Sequence, residues 1–310
     1  MDKSLHFRSN GKLLLTGEYL VMRGAKALAI PLSKGQSLEI KATDNDGHPN
    51  LLWFAFGPHE LWFKTSFELP SLDIIGTTDR ERSARLQLIL LTLQQLNPAI
   101  FDGRYSYQFK TRLDFEPEWG FGSSSTLIAN LSRWADVDPF TLLNLSIGGS
   151  GYDIACALTE KPLHFQLKTM RPIIYTVDFE PVFRDKLFFV YQGKKQDSAA
   201  EIIRFNQKTG ENDLGDAINS VNEITEQATI TTSFREFCSL MDKHERLIGN
   251  LLERPPLKTV FPGFEGHIKS LGAWGGDFFL AMTEQSFTGL TDYFAARGIH
   301  TVFKYNDLIR

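Results

Sequence analysis

The sequence predicts an α+β protein built from two successive blocks. Strand-like runs, rich in leucine, β-branched residues and aromatics and punctuated by Gly, Asp, Asn and Pro, dominate the first part. Helix-periodic segments are interspersed without the regular strand–helix alternation of a doubly wound sheet. From about residue 184 the pattern starts afresh with "KLFFVYQG". A boundary near Phe183 therefore divides the chain into 1–183 and 184–310.

In the first block, "KLLLTGEYLVM", "ALAIPL", "SLEIKAT", "LLWFAF" and "LWFKTSF" read as strands. A helix is expected over 80–96, where Leu86, Ile89, Leu90 and Leu93 form one apolar stripe behind a charged start. "YSYQFKT" alternates like a strand, and helices follow at about 125–134 and 139–145. A second glycine loop, "GGSGYDIACALTE", leads into another helical segment before the strands "PLHFQLK" and "PIIYTVDF". In the second block, polar helices run to about Glu253, and "RPPLKTVFPG" is a loop. "HIKSLGAWGGDFFLAM" reads as a helix end, a glycine turn and a strand. "FTGLTDYFAARG" closes as a helix stopped by Gly298, and "HTVFKY" is a last strand.

Composition removes several classes of function. The 310 residues carry a net charge of −4, so no global field recruits nucleic acid or anionic lipid, and no basic stripe is interleaved with aromatics. The start, "MDKSLHFRSNGK", lacks the apolar core of a secretory signal. The most apolar run, "LQLILLTLQQL", is too short and too polar to span a bilayer. Cys156 and Cys238 lie far apart without CxxC spacing and read as reduced, buried side chains. A soluble cytoplasmic protein without a structural metal is expected. Oligomeric state is not legible, and a homodimer stays open.

Three glycine loops and the N-terminal strand are the candidate sites. None is a Walker A loop or a dinucleotide fingerprint. Gly120, Gly122, Ser123, Ser124 and Ser125 form "GFGSSS" before a helix, where backbone N–H groups favour an anion by about 0.3–1 kcal/mol. The same residues also read as a loop with a serine N-cap. In "GGSGYD", Asp153 is either a helix cap or a carboxylate placed to take a proton from a hydroxyl. "GAWGGD", with Gly272, Gly275 and Gly276, is either a tight turn or a loop that lets backbone approach a ligand. In "GKLLLTGEYLV", Lys12 reads as a strand-end lysine, and Glu18 sits in the turn beyond.

Taken together and in this order, these segments resemble the GHMP kinases, the group of galactokinase, homoserine kinase, mevalonate kinase and phosphomevalonate kinase. "GKLLLTGEYLV" with "ALAIPL" is similar to the family's N-terminal motif, and "GFGSSS" to its phosphate loop. "GGSGYDIACAL" is similar to the segment with the catalytic aspartate, and "GAWGGDFFLAM" to the C-terminal glycine motif. The resemblance covers almost the whole chain.

It implies a two-domain GHMP kinase fold, with an ATP-binding α+β domain over 1–183 and a ferredoxin-like α+β domain over 184–310. It implies ATP and Mg2+ as cofactors. Gly120, Gly122, Ser123, Ser124, Ser125, Gly272, Gly275 and Gly276 would serve the nucleotide, and Ser123 or Ser124 the metal. Asp153 would orient the attacking hydroxyl, and Lys12 would stabilise the transferring phosphoryl group. "GEY", "GSGYD", "GGD" and "YQGKKQDSAAEI" look closer to phosphomevalonate kinase than to mevalonate kinase. On that basis Glu18, Ser150, Gly151, Lys194 and Lys195 would face the acceptor, although the two lysines also read as a solvated basic turn. Other readings are mevalonate kinase, another small-alcohol kinase, or a non-catalytic relative that binds nucleotide or metabolite. Two departures stand out. Trp274 replaces a small residue of the third motif, where its bulk would narrow a pocket, and "TLLNLSI" supplies no acidic magnesium ligand.

Overall fold

The computed structural model describes residues 4–44, 47–169, 171–210 and 213–309. They form two compact units. The first holds the chain up to Gly11, Lys34–Pro117 and Phe121–Leu158; the second holds Lys12–Ser33, Glu118–Gly120 and the chain from Thr159 onward.

The chain opens with β1 (Leu5–Leu14) and β2 (Ala27–Asp44), which pair with each other. The long run "KLLLTGEYLVM" is thus not one strand. Its strand ends at Leu14, and Leu20–Arg23 is a 3-10 turn whose Leu20 and Val21 are buried. Conversely, "ALAIPL" and "SLEIKAT" are one continuous strand, because the ladder to the partner strand already begins at Gln36.

In the first unit follow β3 (Asn50–Phe56), β4 (Leu61–Glu68), β5 (Ile74–Thr77), α1 (Arg80–Leu96) and β6 (Tyr105–Leu113). The strand order is β5-β4-β3-β6-β2, with only β3 and β6 parallel among these neighbours. Strict alternation turns Leu51, Trp53 and Ala55 of β3 and Phe63 and Phe67 of β4 to one buried face. Leu86, Ile89, Leu90 and Leu93 of α1 join them in one core, the stripe expected from the sequence. Each such buried side chain stabilises by about 1.5–3 kcal/mol, so the sheet–helix interface sets the unit's shape. Asp79 caps α1 through the Arg82 N–H, and the helix stops at Asn97, the residue before Pro98. The unit ends with α2 (Ser123–Ala135), α3 (Pro139–Leu145) and α4 (Tyr152–Ala157), and α3 and α4 both pack on α2.

In the second unit, β7 (Leu163–Lys168) and β8 (Arg171–Thr176) form a hairpin, and β7 pairs with Ala27–Ala29 of β2. Then come β9 (Leu187–Tyr191), α5 (Ser198–Thr209), α6 (Gly215–Ile230), α7 (Phe234–Leu252), β10 (His267–Ser270), β11 (Phe278–Met282), α8 (Phe287–Ala295), β12 (Val302–Lys304) and α9 (Tyr305–Leu308). The antiparallel order β10-β11-β9-β12, with helices after the first and third of these strands in sequence, is the ferredoxin-like arrangement. "HIKS" is a strand and not a helix end: Ile268, Lys269 and Ser270 are all buried in it. Cys156 and Cys238 are buried and unbridged. No helix among the described residues is long and apolar enough to cross a membrane.

Candidate active site

In the first unit, the serine loop becomes the start of α2. Gly122 is the N-cap, in the left-handed region at φ 89°, and no side chain caps the helix. The first helical bond runs from the Thr126 N–H to the Gly122 carbonyl at 3.0 Å. The N–H groups of Ser123, Ser124 and Ser125 therefore stand at the uncapped, electropositive end. Ser123 and Ser124 are half-buried. Ser125 is only 2% exposed, and its hydroxyl donates to the Gly122 carbonyl at 2.8 Å, so that hydroxyl serves the helix start itself. The serine N-cap weighed from the sequence is not what forms; a glycine takes that place.

The second loop leads into α4, which packs against α2. Gly148 and Gly149 are exposed, Ser150 is half-buried and Gly151 is the N-cap. Asp153 is the second residue of the helix, half-buried, with Oδ1 accepting from the Ile154 N–H at 3.0 Å. Asp153 is thus not the N-cap residue, which is Gly151, although its carboxylate satisfies one of the N–H groups of the first turn.

In the second unit, the Lys12 ammonium donates to the Gly120 carbonyl at 2.9 Å. Gly120, at φ 69°, also lies against Asp277: a Cβ built on it would stand 2.6 Å from Oδ2 of that carboxylate. Asp277 is held on three sides. Its carbonyl accepts from the Gln192 N–H at 2.8 Å, its N–H donates to the Lys194 carbonyl at 2.7 Å, and Oδ1 accepts from the Gln196 N–H at 3.1 Å. "YQGKKQ" and "GGD" are therefore one stitched structure. Burial raises the Asp277 carboxyl above its ordinary range, against the pull of the Gln196 N–H and of the Lys12 and Lys195 charges. The side chains of Lys194 and Lys195 are exposed.

Gly272, Gly275 and Gly276 shape the turn between β10 and β11. Trp274 does not crowd the open side of this turn. The residue is 4% exposed and its ring packs among Tyr19, Leu20, Phe205 and Ile248, while the Trp274 backbone N–H donates to the Tyr19 hydroxyl at 2.8 Å. Glu18 is also turned inward, 1% exposed, with its carboxylate on the Lys269 ammonium. It is not presented to an acceptor in this structure.

The sequence reading missed Asp277 and the buried set Lys269, His244 and Glu245. Asp277 had a signal: an acid after two glycines and before a wholly apolar strand. Lys269 had none, because a single lysine in a short strand looks solvated until its partner Glu18 is located. Among the described residues, no group of three or more His, Cys, Asp or Glu is placed to hold a metal. A depression of about 320 Å³ in the first unit is lined by His6, Lys110 and Arg112 with neighbouring residues, but by none of the loop residues above.

Solved structures resemble this chain along nearly its whole length. A mevalonate kinase of L. major, solved with R-mevalonate, is 15% identical at a TM-score of 0.71, over 98% of this chain and 95% of that one. A Streptococcus pneumoniae phosphomevalonate kinase, solved with phosphomevalonate and AMPPNP, is 16% identical at a TM-score of 0.69, over 97% and 99%. A Lactococcus lactis galactokinase, solved with galactose, is 12% identical at 0.63, over 97% and 92%. The chain has the GHMP kinase fold. No protein-family model and no curated protein sequence matches it. The GHMP kinase fold expected from four short motifs is thus the fold observed.

Proposed function

We propose that this chain is an ATP-dependent phosphotransferase that phosphorylates 5-phosphomevalonate in isoprenoid synthesis. The observation that carries the reading is the start of α2, an uncapped helix end with three successive serine N–H groups. Such an end binds a polyanion through backbone donors and the helix dipole. Phosphoryl transfer asks a protein chiefly for positioning and for charge neutralisation, and the candidate residues divide along those lines. Gly120, Gly122 and the N–H groups of Ser123–125 would hold the ATP phosphates, and Gly272, Gly275 and Gly276 would also serve the nucleotide. Lys12 would neutralise charge on the transferring group, and Asp153 would orient the acceptor hydroxyl. Ser150 and Gly151 would position the acceptor, and Lys194 and Lys195 would meet its phosphate. On this reading 1–183 serves as the ATP-binding domain and 184–310 as its C-terminal partner domain.

The donor set fits magnesium carried mainly on nucleotide phosphates. Mg2+ keeps several waters and needs few protein ligands, and the half-buried hydroxyls of Ser123 and Ser124 suit that role. When bound, the ion would offset phosphate charge.

A mevalonate acceptor is the second reading, favoured by the likeness to mevalonate kinases as well as to a phosphomevalonate kinase. A non-catalytic relative is the third, but Trp274 lends it no support, since its ring is buried away from the turn. ADP release by the purified chain with ATP and Mg2+, compared between mevalonate and 5-phosphomevalonate, separates all three. Turnover with the phosphorylated acceptor alone supports the first reading, and turnover with mevalonate alone the second. ATP binding without turnover on either removes both.

A further inference from the structure

We propose that Asp277 is the positioning residue for Lys12: it packs onto Gly120 and so fixes the carbonyl on which the lysine ammonium rests. This inference rests on the kinase reading for its catalytic consequence, but not for the contact itself.

Asp277 sits at φ 52°, in the left-handed region that non-glycine residues rarely occupy. Such a conformation persists only where the surroundings over-determine it, and here three hydrogen bonds to Gln192, Lys194 and Gln196 do so. The effect of that enforced geometry is to drive a carboxylate against the Cα of Gly120. A Cβ at Gly120 would collide with the carboxylate carbon and oxygens at 2.6–3.0 Å, so any other residue there would displace Asp277 as well as strain the backbone at φ 69°. The Gly120 carbonyl in turn accepts the Lys12 ammonium. Asp277, Gly120 and Lys12 are therefore one mechanical and electrostatic series within the second unit.

Electrostatics shows why a structural role alone is a poor account. A carboxylate beside a loop that binds phosphates weakens ground-state binding of a polyanion. A stability role would be filled as well by asparagine, which keeps the Gln196 acceptor without the charge. What the charge adds is attraction for Lys12 from behind, holding a long, flexible side chain in one place. Misplacement of a reacting or charge-stabilising group by about 1 Å costs on the order of 10²-fold in rate, so the holding matters most in the transition state. Through Oδ1 to the Gln196 N–H and through its own backbone N–H to the Lys194 carbonyl, Asp277 also ties this series to the basic turn carrying Lys195.

The test is Asp277→Asn, read three ways. Turnover should fall by ~10-fold or more while the KM for ATP stays level or drops, because a repelling charge has gone. Thermal stability should stay close to that of the parent protein. Independently of activity, Lys12 should react several-fold faster with acetic anhydride, followed by mass spectrometry of its peptide, since the ammonium is no longer held. Asp277→Ala, which also removes the Gln196 acceptor, serves as the structural control and should add a loss of stability. Unchanged Lys12 reactivity in Asp277→Asn overturns the inference, whatever the kinetics. Faster Lys12 modification in a chain whose parent shows no kinase activity supports the pairing and removes the kinase reading instead. A rise in the KM for ATP at constant turnover also overturns the inference, because it would make Asp277 a nucleotide-binding and not a positioning group.

Discussion

Lys269 and Glu18 form an ion pair shut off from solvent, with side chains 0% and 1% exposed. The lysine lies in β10, and the glutamate in the turn after β1. The pair thus fixes the N-terminal motif on the ferredoxin-like sheet within one unit. Removing one member leaves a buried charge without a partner, which typically costs about 3–5 kcal/mol. Lys269→Met is expected to lose that much stability in urea unfolding at pH 8, whereas Glu18→Gln with Lys269→Met should regain most of it. If the single and double variants are equally unstable, the ion pair is not what holds the turn.

The same cluster predicts a pH signature. Burial raises Glu18 from 4.5 to about 7, against the pull of Lys269, and Glu245 adds to the rise. His244, whose Nε2 accepts from the Gly17 N–H at 2.9 Å, is driven well below its usual value by burial and then by Lys269. A carboxyl with a raised folded pKa binds its proton more tightly folded than unfolded. Its contribution is therefore complete below about pH 4.5 and lost as pH rises through 7. For His244 the sign is opposite: stability present at neutral pH is lost as pH falls below its ordinary value of 6.5. The stability of the parent minus that of Glu18→Gln should consequently fall between pH 5 and 7, by at most about 1.4 kcal/mol per pH unit. A flat difference across this range would show that Glu18 is ionised throughout.

Gly249 gives a prediction of inverted sign. In a helix interior, Gly→Ala normally stabilises by about 1 kcal/mol. In α7, however, a Cβ at Gly249 would lie 2.7 Å from the Arg254 carbonyl and 3.3 Å from the Trp274 ring. Gly249→Ala should instead destabilise, by about 1–3 kcal/mol of overpacking. Pairing it with Trp274→Phe should relieve part of the loss in the same urea experiment. A stabilising single variant would show that the ring has room to move.

How much of this was legible beforehand depends on the range of the interaction involved. The stripe Leu86, Ile89, Leu90, Leu93 and the strand "LLWFAF" around Trp53 are set by local pattern, and both match what the sequence predicts. "HIKS" was misread since its lysine is neutralised by Glu18, 251 positions away in sequence, and only the fold brings them together. The turn at Tyr19 interrupted what looked like one strand because Leu20 and Val21 are buried in a 3-10 turn there. For the loops, glycine and serine spacing pointed to a helix start at about residue 125, two residues after the observed one, but not to the partner of each glycine. Asp277 stood inside a quoted motif, yet its contact with Gly120 joins segments 157 positions apart by number, which no local pattern encodes.

Asp153 is the next test of the proposed chemistry. It lies on the second residue of a short helix, half-buried and outside the cap position, so substitution should spare the fold. Asp153→Asn keeps the acceptor for the Ile154 N–H and removes only the charge and basicity. Turnover should drop by ~10²-fold or more, the scale of a positioned base, with thermal stability little changed. Full activity in this variant would assign the acceptor proton elsewhere.

The acceptor's phosphate, finally, has a charge-based test in the turn that Asp277 stitches down. Lys194 and Lys195 are exposed, and surface substitutions of this kind usually stay within about 0.5 kcal/mol. If the pair meets a phosphate on the acceptor, Lys194→Gln with Lys195→Gln should raise the KM for 5-phosphomevalonate by ~10-fold or more, because charge-assisted bonds to phosphate contribute about 1.5–3 kcal/mol each. The KM for ATP should move far less, and turnover at saturating acceptor should be nearly kept, since uniform binding is what has been removed. Raised ionic strength should narrow the gap between parent and variant, as screening weakens an exposed charge contact. Equal effects on ATP and acceptor, at every salt concentration, would place the lysines against the nucleotide and return the acceptor question to mevalonate.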